Sequence, residues 1–236
     1  MGEAQVSLHE KHLPDFLKHL QEYKAAPDVF NPWKNHDKIY DVGINAPAIR
    51  QRQLWDYLAC RISRAKYILC AEAVGYQGAK FSGVPLTSER ILLGRSIEVA
   101  VSDILPTAKP VRTSNPEAAS AKTVQQYGYA EPTATIAWGL LKELPLSPFE
   151  VIFWNIFPFH PFHKDKGRLS NRTPRTEETG QGRKYLEHLV SLCPPGVKVI
   201  AIGEKAAEAI GDCPKVRHPA NGGAGMFREQ LPRIIL

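Results

Sequence analysis

Three short segments of this chain carry side chains suited to polar chemistry on a bound ligand. They are Glu72 in Ala71-Glu72-Ala73-Val74-Gly75-Tyr76-Gln77-Gly78, Asn155 in Trp154-Asn155-Ile156-Phe157-Pro158, and His218 in Arg217-His218-Pro219-Ala220-Asn221-Gly222-Gly223. An amide offers a donor beside an acceptor and can read the edge of a ring. An imidazole N–H can donate to an oxygen on which charge develops, a contact that strengthens along the reaction and lowers its barrier. A carboxylate can orient or deprotonate a water, or can hold its own loop by accepting backbone N–H bonds.

These side chains need elements that bring them together. Residues 67–71 and 149–154 are apolar runs that predict strands ending at the first two segments, and a short strand over 215–217 delivers His218. Residues 197–202 predict another strand, followed by Gly203 and a helical stretch over 204–210. Leu8, Leu13, Phe16, Leu17 and Leu20 suit an amphipathic helix over 7–25, which Asn31-Pro32-Trp33 breaks. Ile49, Leu54, Leu58 and Ile62 suit a second over 48–62, and Ser88 caps the start of another. Residues 107–129, polar with Pro and Ser, read as a long surface segment. This order predicts an α/β fold, a three-layer α/β/α sandwich around a central, mainly parallel sheet, with its ligand beyond the carboxyl ends of the strands.

A length of 236 residues, 43% hydrophobic and 23% charged, fits one buried domain over 1–236, with 1–60 a helical extension packed on it. Thirty Lys and Arg against 24 Asp and Glu leave a net charge of +6, which suits a polyanion. The polar N-terminus, and the lack of an apolar run near about 18 residues, point to no membrane span and a cytoplasmic, or in a bacterium nucleoid-associated, location. Cys60, Cys70, Cys193 and Cys213 show no C-x-x-C spacing and read as reduced, packed thiols. His160 and His163 have a spacing a metal can use but no fixed acidic or thiol partner, so they are expected to shape the loop beside Asn155.

From Lys66 to the C-terminus the chain resembles the uracil-DNA glycosylase superfamily. Asn171-Arg172-Thr173-Pro174, Glu177-Glu178, Arg183 and Tyr185-Leu186-Glu187 are similar in pattern and spacing to the thermophile-type, family 4 enzymes. The resemblance implies a DNA repair enzyme that hydrolyses the N-glycosidic bond of deoxyuridine, releases uracil and leaves an abasic site, as a monomer needing no metal or organic cofactor. Its partners would be uracil-containing DNA and abasic-site DNA. His218 would stabilise the departing base at O2, Asn155 would pair with N3–H and O4 of uracil, and Glu72 would serve the water or the loop. Ala73, Gly75, Tyr76, Gln77, Phe81, Leu86 and Phe157 would line the base site. Arg172, Lys80, Asn221, Gly222, Gly223 and Met226 would face DNA, as would Arg90, Lys164, Lys166, Arg168 and Arg175.

The chain also departs from these relatives. Ala73 stands where many carry an Asp that positions or activates water, and Gly75 where many place a ring that excludes the thymine methyl, with Tyr76 a candidate replacement. Phe159 and Gly182 stand near two of the four cysteines that hold an iron–sulfur cluster in the thermophile type, so no cluster is expected. Leu86 aligns with the Phe that stacks on uracil, leaving Phe81 or Phe157 to supply a ring. Met226 and Phe227 either wedge into the gap left by a flipped nucleotide or start the last helix and pack inward. The changes leave open a glycosylase for another base, hypoxanthine or mispaired thymine, and a low-turnover protein that binds uracil or abasic sites. Covalent capture through His218, known in one offshoot with a basic insertion near its first motif, is not expected, since no such insertion lies between Gly75 and Phe81.

Overall fold

The computed structural model describes residues 11–236. Its centre is strand β2 (Tyr67–Ala73), introduced after α1 (Leu13–Glu22), β1 (Val29–Phe30) and α2 (Ala46–Ala59). Parallel neighbours flank β2: β3 (Val151–Phe157) on one side and β5 (Lys198–Ile202) on the other, with β6 (Lys215–Val216) beyond β5. Strand β4 (His160–Pro161) pairs antiparallel with β1 in a separate two-stranded sheet. Every residue of β3 is buried, as expected of a parallel strand covered on both faces. Both leading strands run further than their apolar runs. Glu72 and Ala73 still belong to β2, and Asn155 lies inside β3, because the ladder continues through Ala71↔Asn155 to Ala73↔Phe157.

Alternation along β3 divides the two layers. Phe153 meets Trp138 of α6 (Pro132–Glu143) edge-on at 4.9 Å, and its backbone N–H donates to the Tyr57 hydroxyl of α2 at 2.7 Å. Trp154 points the other way, against Phe16 of α1 and in a stack with Trp33. Asn155, two residues past Phe153, therefore returns to the α6 face. Helix α7 (Thr176–Ser191) covers β3, and α8 (Glu204–Ile210) follows β5. The last helix, α9 (Ala224–Ile235), packs beside β6.

The first helix begins at Leu13 and buries Leu13, Phe16, Leu17 and Leu20; Leu8 lies outside the described residues. The Asn31 amide closes its far end, donating to the Leu20 carbonyl at 2.8 Å while accepting from Trp33 N–H at 3.0 Å. Helix α2 is shifted relative to its apolar pattern. Its inward side includes Arg50 and Gln53 beside Leu54, Tyr57 and Leu58, while Ile49 is only half-buried. Arg50 is tolerated there because Asp41 takes its guanidinium at 2.8 and 3.1 Å. Leu13, Phe16, Leu54 and Tyr57 share one core with the sheet, so this part of residues 1–60 builds the sandwich itself.

Helix α3 (Ala79–Ser82) ends at Gly83, whose φ of 72° suits glycine and whose place leaves no room for a Cβ against the Arg50 backbone. Ser88 caps α4 (Glu89–Leu92) as expected, accepting from Ile91 N–H. The 107–129 segment is anchored more deeply than a surface excursion. Thr113 and Ser114 are fully buried and donate their backbone N–H groups to Glu89 at 2.7 and 2.9 Å, and α5 (Lys122–Tyr127) follows. Among the described residues no helix is long and apolar enough to cross a membrane.

Gly182 lets α7 pack directly on the sheet, since a Cβ there would run into the Ile156 carbonyl oxygen. Alanine in a helix ordinarily stabilises relative to glycine. Gly182→Ala should instead destabilise by about 1–3 kcal/mol, because the helix must move off β3. A lowered urea midpoint checks this, and an unchanged or raised midpoint would show that the contact is loose.

Candidate active site

At the carboxyl ends of β2, β3 and β6 lies a cavity of about 550 Å³. It gathers all three segments: Ala71, Glu72, Ala73, Val74, Gly75 and Gln77 from the first, Asn155 from the second, and His218, Pro219, Ala220 and Asn221 from the third. Leu86 and Arg172 join them, with Asn171 and the start of α6.

Asn155 is 3% exposed, and its Oδ1 is buried without a hydrogen-bond partner. A buried amide oxygen left unpaired is costly, so this atom calls for a donor arriving in the cavity. His218 is oriented by its own loop. Its Nδ1 accepts from the Ala220 N–H at 3.1 Å, so the neutral ring carries its proton on Nε2. Burial, helped by Arg217, holds its pKa below the usual histidine range and favours that neutral form. Glycines admit the ring: a Cβ on Gly203 would press on His218 at 3.1 Å, and one on Gly223 would strike the His218 carbonyl. Asn221 and Gly222 turn the loop through positive φ, 53° and 75°.

Glu72 is partly exposed, 3.7 Å from Lys205 of α8; burial raises its pKa and Lys205 opposes that. The loop after β2 is pinned from two sides. Asn171 Oδ1 accepts from Tyr76 N–H at 3.0 Å, and His160 Nδ1 lies 3.0 Å from the Val74 carbonyl. His160 Nε2 sits 3.0 Å from the Arg168 carbonyl, and burial pushes this imidazole down to about 4; in its neutral form it donates to one of these two carbonyls and packs against the other. The Tyr76 ring stands edge-on to Tyr129 at 6.0 Å, off the cavity wall.

Several expected contacts are corrected by burial. Phe81 is fully buried and stacked on Tyr129 at 4.6 Å, and Phe157 is fully buried near Tyr23 and Phe159, so neither offers a ring to the cavity. The larger apolar side chains on its wall are aliphatic instead, Leu86 and Ile136. Leu86 holds an unusual φ of 45°, and its carbonyl accepts from Trp138 Nε1 at 3.2 Å. Lys80 cannot meet a phosphate. It is fully buried, 3.3 Å from Asp37 and 3.8 Å over the Phe81 ring, and burial pushes it down to about 8.

Arg172 reaches the cavity wall, yet Glu178 takes its guanidinium at 2.7 and 2.6 Å and Asp28 lies 3.2 Å away; Arg175 pairs with the same two acids. Arg168 pairs with Asp37 at 3.3 Å, and Arg90 donates to the Gly128 carbonyl. Lys164 and Lys166 remain exposed, as do Asn221, Gly222 and Met226, whereas Gly223 and Phe227 are buried and Phe227 packs into the core.

An iron–sulfur cluster does not fit the positions it occupies in the thermophile type. Phe159 is fully buried and stacked on Tyr23 at 3.9 Å, and Gly182 has no space for any side chain. No group of three or more His, Cys, Asp or Glu among the described residues is arranged to hold a metal.

The cavity also recruits Glu131, Thr133 and Ile136, which sequence patterns passed over. Glu131 directly precedes Pro132, a helix-start signal, but nothing in the sequence around it points to the sheet. Its Oε2 is buried and unpartnered, and burial pushes its carboxyl up to about 7.

No protein-family model and no curated protein matches the chain. Among solved structures it is similar to the crystal structure of wild-type Pedobacter heparinus SMUG2, with a TM-score of 0.58, 11% identity, and 94% of this chain and 96% of that one covered. The chain thus shares the fold of that structure, a helix-flanked four-stranded parallel sheet.

Glu131 makes stability depend on pH. A carboxyl whose folded pKa is raised binds its proton more tightly in the folded state, so the contribution of Glu131 to stability is greatest below about 4.5 and falls as pH rises towards about 7. Relative to the wild type, Glu131→Gln should therefore gain thermal stability between about pH 5 and about pH 8. A difference in Tm that stays flat across this range would mean that Glu131 titrates like an exposed acid.

Proposed function

We propose that the chain is a DNA glycosylase that hydrolyses the N-glycosidic bond of deoxyuridine in DNA, releasing uracil and leaving an abasic site. The observation that carries this reading is the unpaired Asn155 Oδ1 buried in the wall of a cavity that His218 also lines. Uracil presents an N3–H donor beside an O4 acceptor, so one amide satisfies both and completes Oδ1. Cytosine presents the reverse order and would leave buried groups mismatched.

Breaking the bond between C1′ and N1 leaves an oxocarbenium-like sugar and places negative charge on the base, chiefly at O2. The neutral His218 ring donates from Nε2, and the Ala220 N–H holds it in that tautomer. Because this contact strengthens as charge develops, it accelerates the reaction beyond what it adds to binding. The exposed loop Asn221-Gly222 and the exposed Lys164 and Lys166 supply surface for the DNA backbone, in keeping with the net charge of +6.

A wider base range has its own support. Gly75 leaves no ring beside the base, and the nearest groups to that position are the Glu131 carboxyl and the Asn171 amide. Hypoxanthine or mispaired thymine therefore remains in view. Ala73 supports a second class of reading, a low-turnover protein that holds uracil or abasic sites.

Purified protein incubated with an oligonucleotide bearing one uracil, beside hypoxanthine, thymine and cytosine controls, should yield alkali-sensitive sites at uracil. His218→Ala should slow release on the order of 100-fold with little loss of binding. Asn155→Asp should lower uracil release and admit cytosine. Binding without any cleavage would sink the glycosylase reading in favour of a binding protein.

A further inference from the structure

Hydrolysis of the glycosidic bond needs a group that takes a proton from the attacking water, and Ala73 stands where many relatives carry one. We propose that Glu131 is that group, entering the cavity from the residue just before α6 rather than from the end of β2. This inference rests on the glycosylase reading and names the residue that completes it.

Glu131 lines the same cavity as Asn155 and His218, and its Oε2 is buried with no hydrogen-bond partner. It occupies the N-cap position of α6 but makes no side-chain cap bond, so helix capping does not account for it. The loop after β2 is cut back to make room. A Cβ on Gly78 would run into the carboxylate, and one on Gly75 would lie 3.6 Å from Oε1. A buried, unpaired acid is costly, and a chain keeps one where it is used.

The other carboxyl on the wall, Glu72, differs in each respect. It is 31% exposed, lies 3.7 Å from Lys205, and also faces a second cleft with Pro174 and Lys205. Burial alone sets the titration of Glu131 near 7, close to the optimum for a general base at neutral pH. Glu72, Arg172 and His218 are the remaining ionisable groups on this wall. His218 titrates below the usual histidine range, and Arg172 is held charged by Glu178.

In the step itself the C1′–N1 bond breaks and its electron pair leaves with the base. The water oxygen bonds to C1′, and the water's proton passes to the Glu131 carboxylate and from there to bulk water. The base anion is reprotonated from solvent, so the sum is one water consumed for one free base and one abasic sugar.

The test is single-turnover release of uracil and hypoxanthine from oligonucleotides across about pH 5.5 to 9, for the wild type, Glu131→Gln and Glu131→Asp, with affinity for an abasic-site oligonucleotide measured alongside. The expected result is a loss on the order of 100-fold in Glu131→Gln at high pH with product affinity retained. The wild-type rate should also rise through about pH 7, a limb absent from Glu131→Gln and partly restored in Glu131→Asp. Release by Glu131→Gln within about threefold of the wild type, or a limb near 7 that persists in it, would overturn the assignment while leaving the glycosylase reading in place. A wild-type protein that releases neither base would overturn that reading, and this assignment with it.

Discussion

The parallel pairing of β2 with β3 on one side and β5 on the other is the constraint on which the remainder of the structure hangs. Register in a sheet has a period of two, so a slip of one residue would turn every side chain of a strand to the opposite face. With Ala71 opposite Asn155, the amide emerges on the α6 side, next to two residues too small to cover it, Ala71 and Ala73. Trp154 is thereby committed to the opposite layer, where Trp33 and Phe16 bury it. Strands β5 and β6 carry the same register outwards, and β6 ends one residue before Arg217-His218.

Around this frame, charge is used to hold loops more than to meet a ligand. Asp28 and Glu178 gather Arg172 and Arg175 and tie the segment after β4 to the start of α7. Asp37 gathers Lys80 and Arg168, and Glu89 gathers the backbone at Thr113 and Ser114. A buried ion pair is a weak source of net stability, but removing one partner is severe, which makes such clusters effective at enforcing a single loop arrangement. The positively charged residues near the motifs are therefore largely committed to these clusters.

The cavity is organised on the opposite principle. Asn155 Oδ1 and Glu131 Oε2 are the buried side-chain oxygens left without a hydrogen bond among the described residues, the other such buried side-chain atoms being nitrogens of Arg61, Arg90, Trp154 and Arg172, and Leu86 holds a backbone conformation few side chains tolerate. Unmet acceptors and a strained φ cost stability, and the meeting of both unpaired oxygens in one cavity fits a preformed site whose missing donors come with the ligand. His160, lying between the Val74 and Arg168 carbonyls, and Asn171, accepting from Tyr76 N–H, hold the loop after β2 in place.

The sequence by itself determined the α/β order, the strands leading to Glu72, Asn155 and His218, and the convergence of those segments beyond the sheet, because apolar runs and turn residues are local signals. It did not determine which side chains the packing would consume. Phe81, Phe157 and Lys80 have the right chemistry and the right neighbourhood, yet burial turns them into core, since rings and alkyl stems gain more from Tyr129, Phe159 and one another than from solvent. Arg50 and Gln53 broke the apolar pattern of α2 because their polar ends are paired within the protein, and pairing across long separations leaves no periodic trace. Glu131 lies about sixty residues from the β2 motif it faces, after a segment with no regular pattern. Only the tertiary structure, by docking the start of α6 over Gly75 and Gly78, decided that a carboxylate would stand there.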